Sequence, residues 1–125
     1  MQTVKLHHRE VVRLDGDRME AIFGEFGIDR GELMICAAME DIAGLLSASD
    51  VDWRTGDLDR LSGHAERLFD AAMPVGMIAL ARVARDVDEL CRRHDAAALA
   101  AAVARLGRVG QQSLLAVWEE RDLML

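Results

Sequence analysis

Four apolar stripes at helical spacing constrain the fold of this chain more than any other feature. In each stripe apolar residues recur every three or four positions, which places them on one face of a helix. The stripes run from Ile35 to Leu45, from Leu58 to Ala72, from Leu80 to Leu90 and from Leu99 to Val117. Alanine, leucine and methionine supply most of the apolar mass, which favours helix over sheet. The pattern predicts an all-α chain.

Turn and capping residues in the first half suggest where helices begin and end. Asp15 to Asp17 predicts the start of a short N-terminal helix that stops at Gly27. The run from Asp29 to Glu32 has the spacing of a capping box and predicts the start of the next helix. The polar stretch 47–56 is the best loop candidate. The first 14 residues are expected to form an irregular lead-in.

The second half contains signals for three more helices. Asp57 predicts the start of one helix, and Pro74 with Gly76 predicts its end. His94-Asp95 closes the following helix and caps the last. We therefore expect one domain over 1–125, with an antiparallel four-helix bundle over 29–118 and an additional short N-terminal helix. The residues expected to meet in its core are Leu61, Leu68, Leu80, Val83, Leu90, Val103 and Leu106.

The charge balance argues against a nucleic-acid partner. The chain has 15 Lys and Arg against 22 Asp and Glu, a net charge of −7. Neutralising phosphates takes clustered basic residues, but the arginines between Arg82 and Arg93 alternate with acids, as on a solvated helix face. No apolar run approaches the ~20 residues that span a bilayer, and the N-terminus lacks a signal-peptide core. We expect a cytoplasmic protein that binds neither nucleic acid nor membrane.

Metal-binding patterns are incomplete in this sequence. Cys91 and His94 have half of a zinc-site spacing, but Cys36 is the only other thiol. The Glu-x-x-His pairs that a di-iron bundle requires are missing. We expect no metal site and no cofactor, and we expect both cysteines to be buried free thiols.

One segment resembles a known family. Residues 61–76 read LSGHAERLFDAAMPVG and are followed by two more amphipathic segments. This arrangement resembles a histidine phosphotransfer (HPt) domain, the four-helix module that carries phosphoryl groups in two-component signalling, over the final two-thirds of the chain. In that family the phosphoacceptor histidine lies in an Ala-His-x-Leu-Lys-Gly pattern, and a Val-Gly or Leu-Gly pair follows ten residues later. The resemblance implies an HPt-like bundle whose partner is a response-regulator receiver domain or a sensor kinase.

The chain can be aligned with this family pattern in two registers. The gapless register, anchored on Val75-Gly76, aligns Ala65-Glu66 with the Ala-His pair and Leu68 with the family leucine. Phe69 and Asp70 then occupy the lysine and glycine slots. A carboxylate stands where the imidazole nucleophile should be, and its charge would repel an incoming aspartyl-phosphate.

The other register is anchored on His64. It places Arg67 in the lysine slot, where a cation can pair with a phosphate. Gly76 then falls twelve residues after the histidine instead of ten, and a two-residue insertion rotates a helix by about 200°. We favour the gapless register, in which His64 is a surface histidine flanked by Arg60 and Arg67.

The resemblance implies a binding or adaptor module of bacterial two-component signalling. Because Glu66 stands in the acceptor position, we expect this module to lack efficient phosphotransfer. Its expected partner-facing surface consists of Arg60, Glu66, Arg67 and Asp70. One alternative is active phosphotransfer with His64 as the catalytic phosphoacceptor. Another is a small helical protein that forms a homodimer and has no signalling role. The residues that crowd the C-terminus and could form that contact are Leu114, Leu115, Trp118, Leu123 and Leu125. They could instead be buried in the core of the domain itself, which is the favoured interpretation for Leu114.

Overall fold

A computed structural model of the protein describes residues 12–124, with side chains through residue 122. Helix makes up 91% of this part of the chain, which contains no strand. The four helices are α1 (Gly16–Thr55), α2 (Leu58–Ala72), α3 (Ile78–Arg93) and α4 (Ala96–Met124), and a 3-10 turn (Met73–Val75) follows α2. The predicted all-α fold is confirmed. The predicted lead-in lies outside the described residues except for 12–14, which precede α1.

Local capping determines the ends of α2, α3 and α4 much as expected. The Asp57 carboxylate accepts a hydrogen bond from the backbone N–H of Arg60 at 3.1 Å. Gly76, at φ +81°, ends the turn after α2, and His94, at φ +56°, ends α3. Asp95 then accepts from the N–H of Ala98 at 3.1 Å at the start of α4. These side chains satisfy backbone N–H groups that the first turn of a helix leaves unpaired.

The predicted loop over 47–56 is wrong, because α1 continues through it to Thr55. The hydroxyl of Ser49 donates to the carbonyl of Leu45 at 2.8 Å, and that of Thr55 donates to Val51 at 2.9 Å. These bonds satisfy the hydroxyls within the helix and leave its backbone ladder intact. Ser49 and Asp52 are both buried, so polar residues continue the inward stripe of α1 beyond Leu45.

Gly27 interrupts α1 as predicted, but the expected capping box does not form. Gly27 has φ +82° and ψ 172°, so residues 16–26 form a first section that is kinked against the rest of α1. A Cβ on Gly31 would come within 2.8 Å of the Phe23 ring, which shows how closely the two sections approach. Glu32 does not reach back to a cap, because it pairs with Arg121 of α4 at 3.3 Å.

The core lies among the four helices. α1 packs against α2 and α4, and α3 packs against the same two helices. The predicted core residues are confirmed as buried, except that Leu90 is half-buried. The buried apolar side chains include Ile35, Ile42, Leu45, Leu61, Leu68, Leu80, Val83, Val87, Leu99, Val103, Leu106 and Val117. None of the described helices is both long and apolar enough to cross a membrane.

Glycines allow two close contacts between distant segments. A Cβ on Gly76 would lie 2.3 Å from the carbonyl oxygen of Asp15, whose own N–H donates to the Gly76 carbonyl at 2.9 Å. This contact attaches the start of α1 to the α2–α3 connection. A Cβ on Gly110 would lie 2.5 Å from the Leu46 side chain, so α4 approaches α1 closely at this point.

Candidate functional site

His64 forms a paired site with a carboxylate that sequence analysis did not identify. Its Nδ1 lies 2.5 Å from Oδ2 of Asp52, and the imidazole donates this hydrogen bond to the carboxylate. The His64 side chain is 18% exposed and that of Asp52 is 5% exposed. The expectation of a surface histidine flanked by Arg60 and Arg67 is therefore wrong, because the ring is turned toward the end of α1.

Asp52 occupies this position because α1 extends beyond the predicted loop. It lies in the last turn of α1, and α2 begins only six residues later. Arg60 supplies a second contact, with its Nε 3.8 Å from Oδ1 of Asp52, although 70% of the arginine side chain is exposed. A buried carboxylate needs hydrogen bonds or opposite charge to offset its lost hydration, and His64 and Arg60 provide both.

The pairing limits what the His64 imidazole can do. A carboxylate on Nδ1 holds the ring in one orientation and selects the tautomer that carries its proton there. Nε2 is then the nitrogen left for proton transfer or nucleophilic attack. Only 18% of the His64 side chain is exposed, so little of the ring is open to a partner.

The outer face of α2 presents the remaining predicted site residues. Glu66, Arg67 and Asp70 are all exposed. Gly63 is exposed as well, and a Cβ built on it would meet nothing within 4 Å. The backbone of α2 is therefore open at Gly63, one turn before Glu66, and a partner can approach the helix closely there.

A second set of contacts joins α2 to α3. The Ser62 hydroxyl donates to Asp88, and Arg92 donates to the other oxygen of the same carboxylate at 3.2 Å. Two turns further along α2, the guanidinium carbon of Arg85 lies 4.2 Å from the centre of the Phe69 ring. The α2–α3 seam thus places two arginines of α3 beside the face that carries Glu66.

The two cysteines lie in different environments. Cys91 is buried, and burial, followed by the nearby charge of Asp88, raises the pKa of its thiol. Cys36 is only half-buried, contrary to expectation, and its sulfur accepts a hydrogen bond from Arg121 at 3.3 Å. Both thiols are free.

The part of the chain that the structure describes contains no group of three or more His, Cys, Asp or Glu residues that could hold a metal ion.

Arg121 is a nearly buried cation between α4 and α1. Its side chain is 11% exposed and pairs with Glu32 at 3.3 Å. Its guanidinium carbon lies 3.8 Å from the centre of the Trp118 ring. These contacts attach the end of α4 to the middle of α1, and they account for a buried charge without invoking a ligand.

Comparison with protein-family models, with curated proteins and with solved structures found no match to this chain.

Proposed function

We propose that this chain is an HPt-like antiparallel four-helix bundle that acts as a binding or adaptor module in bacterial two-component signalling. Its partner would be a response-regulator receiver domain or a sensor kinase, and phosphotransfer would be inefficient. The helix neighbours support the fold part of the proposal, since α1 and α3 each pack against α2 and α4. Each helix of a four-helix bundle contacts its two neighbours in this way.

The functional part of the proposal rests on the difference in exposure between His64 and Glu66. His64 is mostly covered and bound to Asp52, while Glu66 is exposed two residues later. Phosphotransfer from an aspartyl-phosphate needs a neutral nitrogen placed against the phosphorus atom. The negative charge of a carboxylate in that position would repel the incoming aspartyl-phosphate, so docking without transfer is the activity that this face of α2 supports.

The decisive experiment mixes the purified full chain with phosphorylated receiver domains from the same organism. Binding is followed by calorimetry, and transfer is followed as acid-labile label on the chain. We expect binding without label. Label that disappears in a His64→Ala variant would restore active phosphotransfer through His64. Absence of both binding and label would refute the signalling role.

Substitutions on the exposed face of α2 map the docking surface. Arg67→Ala and Glu66→Gln should weaken receiver binding, because both side chains are exposed beside the open backbone at Gly63. Arg108→Ala is the matched control, since Arg108 is exposed on α4. Equal affinities for all three variants would exclude this face as the docking surface.

Self-association is a second candidate, favoured by exposed apolar side chains. Leu33 is 71% exposed, Leu115 is 58% exposed and Trp118 is 46% exposed. Leu114, for which burial in the core of the domain was favoured, is half-buried and packs against that core. The side chains of residues 123–125 lie outside the described part. Light scattering over a range of concentrations tests this candidate. A dimer that Trp118→Ala converts to monomer would support it, and a monomer at every concentration would refute it.

A further inference from the structure

At the seam between α2 and α3, Arg85 stacks on an aromatic ring and has no acidic partner among residues 12–122. Arg85 is exposed, and its guanidinium carbon lies 4.2 Å from the centre of the half-buried Phe69 ring. Within residues 12–122, Arg85 forms no ion pair, whereas Arg92 on the same helix pairs with Asp88 at 3.2 Å. Arg85 therefore differs from its neighbour in having a ring partner but no acidic one.

Asp88, on the same helix as Arg85, is already engaged. Asp88 stands three residues after Arg85, and its two oxygens accept from Ser62 and Arg92. Glu66 lies on α2 one turn before Phe69, but it is not within ion-pairing distance of Arg85. Since no acid among residues 12–122 pairs with Arg85, its positive charge is available to a partner protein.

Stacking on Phe69 prepares Arg85 to bind an anion. A guanidinium over a ring face keeps its N–H groups at its edge, where they can donate two parallel bonds to a carboxylate. The ring also restricts the side chain before binding, so less conformational entropy is lost when the bond forms. A freely moving surface arginine lacks this advantage.

We propose that Arg85, held by Phe69, is the principal cationic contact with an acidic surface on the receiver domain that docks against α2. This inference rests on the proposed function and names the chemistry of its partner, a carboxylate-bearing protein surface. It extends the docking surface beyond the sequence-based set of Arg60, Glu66, Arg67 and Asp70, all of which belong to α2. Phe69 acts as a positioning residue.

The test measures receiver affinity of the full chain and of three variants at low and high salt. Arg85→Ala should weaken binding about tenfold, as expected for a charge-assisted contact at an interface. Arg82→Ala, an exposed arginine one turn earlier on α3, is the matched control and should change affinity less than about twofold. Phe69→Leu keeps an apolar side chain but removes the ring, so it should weaken binding by an intermediate factor.

Salt dependence provides a readout that loss of packing would not reproduce. The affinity of the unmodified chain should fall as salt rises, and the Arg85→Ala variant should show a shallower fall. Equal affinities for Arg85→Ala and Arg82→Ala, with the unmodified chain still binding the receiver, would overturn the role of Arg85 and leave the proposed function in place. An unmodified chain that binds no receiver would overturn both.

Discussion

The imidazole of His64 and the carboxylate of Asp52 meet over 2.5 Å where the last turn of α1 passes the first half of α2. The contact connects two helices that are separated by a short turn. Because the Nδ1 atom of His64 is hydrogen-bonded in this contact, it is not available to react with a partner. It also supplies the buried Asp52 side chain with a donor. The pair therefore contributes to the α1–α2 interface and at the same time restricts the reactivity of the histidine.

Asp52→Asn should lower the free energy of unfolding by about 1–3 kcal/mol, because it removes a buried charge-assisted pair while keeping the shape of the side chain. Asp50→Asn is the control. Asp50 pairs with Arg54 at 3.0 Å, but their side chains are 60% and 67% exposed, so its loss should cost less than about 0.5 kcal/mol. Urea denaturation measures both values, and equal losses would contradict a structural role for the Asp52–His64 pair.

Gly76→Ala should destabilise the fold strongly. Gly76 has φ +81°, which costs a residue with a side chain about 1–3 kcal/mol, and the new Cβ would overlap the carbonyl oxygen of Asp15. Gly63→Ala is the matched control, since a Cβ there meets nothing and alanine gains up to about 1 kcal/mol in a helix interior. Thermal unfolding should move in opposite directions for the two variants. A shift of the same sign in both would show that Gly76 does not attach α1 as described.

Leu68→Ala should cost about 2–5 kcal/mol, because the side chain is completely buried on the inward face of α2. Leu33→Ala removes the same atoms from a position that is 71% exposed, and it should cost less than about 0.5 kcal/mol. Chemical denaturation of the two variants gives the difference directly. A loss below about half a kcal/mol for Leu68→Ala would mean that the wrong face of α2 has been assigned to the core.

The all-α class of the fold and several helix ends could be predicted from the sequence, because the signals for them are local. Asp57, Gly76, His94 and Asp95 act on backbone groups within a few residues of themselves. The apolar stripe of α2 likewise follows from spacing alone, and all four of Leu61, Ala65, Leu68 and Ala72 are buried. Neither kind of signal requires knowledge of another helix.

The site could be predicted only in part, because its decisive contact is tertiary. Asp52 lies in a polar stretch that predicts a loop by composition, and its burial depends on His64 and Arg60 across the turn. The same limit explains Glu32, whose spacing from Asp29 predicts a capping box while its actual partner is Arg121 of α4. The rotation of one helix relative to another decides these pairs, and local spacing does not encode that rotation.

The two thiols should differ in reactivity. Burial and the nearby Asp88 raise the pKa of Cys91, so less thiolate is present in the folded chain than in the unfolded chain at any pH near the ordinary thiol pKa. Alkylation at about pH 8 should therefore modify Cys36 before Cys91, and denaturant should make their rates similar. Mass spectrometry of peptides from a time course measures both. Equal rates in the folded protein would show that the interface around Cys91 opens readily.

Glu66→His provides the sharpest test of the gapless register, because it places an imidazole at the exposed position that the register assigns to the acceptor. In this variant a neutral ring nitrogen would attack the aspartyl-phosphate of a receiver, forming an N–P bond as the phosphorus–oxygen bond breaks and the aspartate is released. We expect acid-labile label on Glu66→His and none on the unmodified chain or on Glu66→Gln, which removes the charge without adding a nucleophile. The label should map to position 66 and not to His64, whose side chain is only 18% exposed. If Glu66→His binds the receiver as tightly as Glu66→Gln and still takes no label, position 66 does not face the phosphorylated aspartate and the register is wrong.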